Sequence, residues 1–288
     1  VLRIGVVAPS PDVINAVGTA VGAADGHGQR VSMVMLNPAD VANADVDAVV
    51  GGTTPPRAGT PWLLPADPHA NGPNVVRAEL DATGAGAMLA DGLVEHGLRG
   101  RVGVVVQPGP DARLADGIES RLPVTRVDGP AGTDCTSEVS ALRFSGVVAL
   151  AVAGPPELAK ACVTAAWSAG LPVPGGIMLA PSAAYGGVAF SGTRTVLGLP
   201  WPNDTSAGAT RFRSATGSTT YPALLAFAAT EVAVAMSHST GSLSSAALTG
   251  TWQTDLVDIQ RGANAGAAVV MARNGAWFRE SHQERSGH

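Results

Sequence analysis

Charge, lysine, aromatic rings and cysteine are all scarce in this sequence, and each shortage excludes something. Charged residues make up 14% of the 288 positions, with Lys+Arg 18 against Asp+Glu 23, so no basic stripe exists to neutralise a phosphate backbone. No nucleic-acid partner is expected. Lys160 is the single lysine, and beside 36 Gly this reads as the coding bias of a GC-rich genome, without functional weight. Apolar runs stop well short of the roughly 18 to 20 residues that a membrane-spanning helix needs; 147–154 is of strand length. Two cysteines, Cys135 and Cys162, are too few for a disulfide framework and fit no zinc spacing, which leaves one disulfide or two buried thiols as even alternatives. The phosphate-binding loop, the Gly-x-Ser-x-Gly elbow, His-Glu-x-x-His and Cys-x-x-Cys are all missing. His27, His69, His96, His238 and His282 are scattered, with no two at ligand spacing on one helix. The chain is therefore expected to be no enzyme and to hold no metal and no cofactor.

What is present is apolar. At 45% hydrophobic, the chain can bury a sizeable core, and its length suits two domains. Short β-branched runs alternate with Ala-rich stretches of three- and four-residue periodicity, which predicts an α/β fold with parallel sheets covered on both faces. Strands are predicted at 3–8, 31–37, 48–51, 62–64, 101–106, 124–127, 147–153, 176–179 and 195–199, and helices at 15–24, 82–96, 112–121, 137–144, 156–169 and 223–237. The chain starts on a strand, so an export signal is expected to have been cut away or never to have existed. The polar, aperiodic stretch 280–288 is expected to be a disordered tail.

Several loops fall at the carboxyl ends of predicted parallel strands, where open α/β sheets bind ligands. Gly51-Gly52-Thr53-Thr54 would offer backbone N–H groups and two hydroxyls, although a plain Gly/Pro turn explains the same residues. Asp67 and His69 follow the strand that begins at Trp62; Asp67 reads equally as a turn residue before proline. In the second half, 107–111 with Asp111, 154–156, and 181–185 with Ser182 and Tyr185 occupy the same kind of position. Tyr185 and Trp201 combine ring area with a polar handle and are candidate pocket walls, though Trp201 could equally pack a crossing between lobes.

Colinear segments carry a family resemblance. They are Val46-Asp47-Ala48-Val49-Val50-Gly51, Gly59-Thr60-Pro61-Trp62, Arg101-Val102-Gly103-Val104-Val105, Thr133-Asp134-Cys135-Thr136-Ser137-Glu138-Val139, Ala165-Ala166-Trp167-Ser168-Ala169-Gly170-Leu171, Tyr221-Pro222-Ala223-Leu224-Leu225 and Asn274-Gly275-Ala276-Trp277. In that order the sequence resembles the type I periplasmic solute-binding proteins, specifically the branched-chain amino acid (Leu/Ile/Val) binding family of ABC transporters. The resemblance implies two Rossmann-like lobes joined by a three-stranded hinge, with residues 1–100 plus 203–250 as lobe one and 101–202 plus 251–279 as lobe two. It also implies a small-molecule ligand held in an interlobe cleft by hinge closure, for uptake or sensing. The expected partner is a membrane permease or receptor, and the expected state is a monomer. An extracytoplasmic location follows, periplasmic or at the cell surface and open to a lipid anchor ahead of the first residue.

Carried over position by position, Thr53 and Thr54 keep the family's hydroxyl pair and Asp67 stands near its next contact. The second lobe's matching positions, Pro110, Pro155 and Ser182, cannot pair an ammonium charge. The expected ligand set is Thr53, Thr54, Asp67, Asp111, Ser182, Tyr185 and Trp201, taking an amino acid-like or a small apolar or aromatic compound. Lobe one is short, because 38–47 leaves about ten residues where the family has a full crossover helix. The resemblance also sets Cys135 and Cys162 on adjacent helices of lobe two and implies a disulfide between them. The alternative reading is a ligand-free interaction protein retaining the fold.

Overall fold

A computed structural model describes residues 1–7, 10–64, 74–170, 175–240, 250–260 and 263–279. The chain opens with β1 (Leu2–Val7), α1 (Pro11–Gly26), β2 (Val31–Met35), β3 (Ala48–Gly51), β4 (Trp62–Leu63) and β5 (Val75–Val76). Next come α2 (Ala82–Glu95), β6 (Val102–Val106), α3 (Arg113–Glu119), β7 (Val124–Asp128), α4 (Thr136–Arg143), β8 (Ala149–Ala153) and α5 (Pro156–Ser168). β9 (Ile177–Leu179), α6 (Pro181–Tyr185), β10 (Thr193–Leu197), α7 (Ala207–Thr216) and α8 (Tyr221–Thr240) follow. The last described strands are β11 (Thr251–Gln253), β12 (Asp258–Gln260), β13 (Ala263–Asn264), β14 (Ala268–Arg273) and β15 (Ala276–Arg279).

Two units emerge, one of Val1–Glu79 with Gly198–Ala267 and the other of Leu80–Leu197 with Ala268–His288. The first holds a parallel sheet of order β2-β1-β3-β4-β5 and a small antiparallel sheet β11-β12-β13. Ile4 to Val6 of β1 and Ala48 to Val50 of β3 are buried because helices and loops cover both faces of a parallel sheet. Between β2 and β3 the chain makes only a one-turn 3-10 helix, Val41–Asn43, so this crossover lacks a full helix, as its length predicts. Val41 and Val46 fill the space instead, packing with Val49 and Trp62.

The second unit carries a seven-stranded sheet, β15-β14-β10-β9-β8-β6-β7, parallel through its centre and antiparallel where β10 meets β14 and β14 meets β15. β8 is buried at every position. Asp81 caps α2 by accepting from the Gly84 N–H at 2.6 Å. Cys135 and Cys162 are disulfide-bonded, with their Cα atoms 4.9 Å apart and both residues fully buried.

The unit boundaries differ from those expected. The first break falls after Glu79 rather than after residue 100, because α2 belongs to the second unit. Its Gly86 lies so close to α3 that an added Cβ would stand 2.2 Å from the Leu114 carbonyl oxygen, and one at Gly117 would stand 2.0 Å from that of Thr83. Two glycines facing each other let the helix backbones touch, and no side chain fits between them. The third break comes after Ala267 rather than after 250, because β11, β12 and β13 stay with the first unit. Asp255, between β11 and β12, binds Arg211 of α7 with Nε to Oδ2 at 2.9 Å and with a second contact from Nη2 to Oδ1. The stretch 280–288 lies outside the described residues.

Candidate functional site

In the first unit, β1, β3, β4 and β5 run parallel, so the residues after each share one sheet edge. β3 leaves the sheet through two glycines. Gly51 has φ +82 and Gly52 has φ +80; a Cβ at Gly51 would stand 2.5 Å from the Val7 carbonyl oxygen. Only glycine makes that turn without strain. The Trp62 indole N–H donates to the Gly51 carbonyl at 2.9 Å and fixes the exit. Thr53 therefore stands exposed and Thr54 half-buried at the carboxyl edge of the sheet. Asp67 lies outside the described residues.

Trp201 is half-buried, three residues beyond the start of the first unit's second segment. Its carbonyl accepts from the Asp204 N–H at 2.8 Å, and the Arg213 guanidinium donates to the carbonyls of Pro202 at 2.6 Å and Asp204 at 2.7 Å. A charged donor on two carbonyls holds this Pro-rich stretch in one conformation. The Tyr221 hydroxyl donates to the Glu79 carboxylate at the other end of the same unit's first segment.

In the second unit, β6, β8 and β9 are parallel neighbours, so the residues after them meet at one edge. After β6, Gly109 at φ +148 starts a 3-10 turn, Pro110–Ala112, that carries Asp111. After β9, Pro181 opens α6 and presents Ser182 in its first turn. The Ser182 hydroxyl donates to Asp111 Oδ2 at 2.7 Å. Burial pushes the Asp111 carboxyl above its ordinary range, and the Ser182 hydrogen bond pulls part of the way back. Tyr185, at the end of α6, is 6% exposed and offers little surface to a ligand.

The structure thus brings Asp111 and Ser182 into contact and sets Thr53 and Thr54 together on the edge of the other sheet, with Trp201 in that same unit. The hydrogen bond from the Ser182 hydroxyl to the Asp111 carboxyl holds these two polar groups together at the carboxyl edge of the second sheet. Glu79 and Arg213 went unmarked by sequence reasoning, and Tyr221 was marked only as part of a colinear segment. Their contacts join positions 142 and up to 11 residues apart, and nothing local announces them.

No family model matches the sequence, and no curated protein matches it. Solved structures do match. An ABC transporter substrate-binding protein from Desulfitobacterium hafniense in complex with leucine superposes with a TM-score of 0.70 at 15% identity, over 97% of this chain and 99% of that one. A leucine-binding protein from Thermotoga maritima gives 0.66 at 16%, over 98% of each chain. A solute-binding protein of an ABC transporter from R. palustris, in complex with 4-hydroxybenzoate, gives 0.63 at 16%, over 97% and 95%. The fold of this chain is that of the type I periplasmic solute-binding proteins.

Proposed function

We propose that the protein is an extracytoplasmic solute-binding protein that captures a small amino acid-like or aromatic molecule by hinge closure and presents it to a membrane permease or receptor. The observation that carries this reading is the fold, shared over nearly the whole chain with proteins solved holding leucine and 4-hydroxybenzoate. In this reading the N–H groups and hydroxyls at Thr53 and Thr54 take the ligand's carboxylate. Asp111 and Ser182 meet its other polar group, Asp67 meets an amine where there is one, and Trp201 borders its apolar part. Ligand energy then shifts the open-to-closed balance, and no bond is made or broken. The buried disulfide supports an oxidising compartment, as an exported monomer would meet.

Native mass spectrometry of the purified protein tests the reading. A retained adduct with the mass of an amino acid or aromatic acid is the expected result. A bare mass, combined with an unchanged melting temperature across amino acids, aromatic acids and sugars, would overturn it in favour of a ligand-free interaction protein.

A further inference from the structure

The chain passes between its two units three times, at Glu79/Leu80, Leu197/Gly198 and Ala267/Ala268. Where the second and third passages leave the second unit they are already neighbours, since Leu197 of β10 pairs with Ala268 of β14. In the first unit one side chain reaches all three. Asn264 of β13 is 7% exposed, and its Nδ2 donates to the Ala78 carbonyl at 2.5 Å and to the Gly198 carbonyl at 2.7 Å. Its Oδ1 accepts from the Gly266 N–H at 2.9 Å. Ala78, Gly198 and Gly266 each stand within two residues of a passage.

The chemistry demands an amide. Two carbonyl oxygens need two donors from one atom while a backbone N–H needs an acceptor about two bonds away, and a primary carboxamide alone among the side chains of this size offers both. Aspartate would set an acceptor against two acceptors; leucine would leave both carbonyls unpaired in a buried place. We infer that Asn264 is the positioning residue of the hinge, gathering the three passages at a common root so that the units move about one axis.

This rests on the hinge-closure reading above, and the test separates the two. Ala42 and Ala141 are exposed, lie in different units and would carry spin labels after substitution by cysteine, the native cysteines being paired. Pulsed electron–electron resonance then reads the label distance distribution in the unliganded protein. Asn264→Asp and the milder Asn264→Ala are expected to broaden that distribution at least two-fold while circular dichroism keeps the wild-type content. An unbroadened distribution in a folded variant overturns the inference. A second measurement needs no variant: the Gly266 amide is expected to exchange its hydrogen at least ten-fold more slowly than that of exposed Gly59, and equal rates overturn the inference. Adding L-leucine or 4-hydroxybenzoate to the labelled wild-type protein tests closure separately. Failure to shift there counts against solute binding and leaves the role of Asn264 standing.

Discussion

Burial disfavours the charged form of the Asp111 carboxyl, and the Ser182 hydrogen bond offsets part of that. Burial raises its pKa above the ordinary 3.8, so folding favours the protonated acid, and the associated stability is present below that value and lost as pH rises through the raised one. Asp111→Asn keeps an acceptor for Ser182 and removes the charge. We expect its melting temperature to equal the wild type's near pH 3 and to exceed it increasingly as pH climbs through the interval between 3.8 and the raised value, as read by calorimetry along a pH series. Arg211 shows the opposite logic: its guanidinium bridges Glu231, at 2.6 and 2.9 Å, and Asp255, and lies 5.3 Å from the Phe227 ring centre. The Arg211 bond holds Asp255 below the usual carboxylate range, whereas burial keeps Glu231 above it. Asp111 and Ser182 could be marked individually from their loops, but 71 positions separate them and their bond could not.

At the scale of elements, glycines decide which helices touch. Gly117→Ala would drive a Cβ into the backbone of α2, where nothing can rotate aside, and is expected to cost about 1–3 kcal/mol or more. Gly92→Ala, on the same helix α2 with nothing within 4 Å of the new carbon, is expected to stabilise by about 1 kcal/mol. Chemical denaturation of the two variants reads both signs. The disulfide ties the start of α4 to the middle of α5 across 27 positions, and replacing both cysteines by alanine is expected to lower stability by about 3–4 kcal/mol in the same measurement. Most helices and sheet-core strands were legible from apolar spacing. α7 was not, because its buried Ala209 and Phe212 give too short a pattern amid polar residues, and its cap, the Ser206 hydroxyl accepting from the Ala209 N–H, looks like any loop serine. α6 was read as a loop, since five residues carry no period.

For the whole molecule, the expected behaviour is a ligand-dependent change of shape. Small-angle scattering with saturating L-leucine or 4-hydroxybenzoate should give a smaller radius of gyration than the free protein; an unchanged profile for these and for a wider panel would count against closure. The sequence by itself determined the α/β class, the parallel sheets, the short crossover before β3 and the glycine exit that sets out Thr53 and Thr54. Each follows from local spacing, and local spacing is written along the chain. Only the tertiary structure decided that α2 joins the second unit, that β11 to β13 stay with the first, that Ser182 bonds Asp111, and that Asn264 gathers three distant segments. Those outcomes depend on which surfaces fit at close range between residues far apart in sequence, and a hydrogen bond or a glycine contact over such separations leaves no periodicity to read.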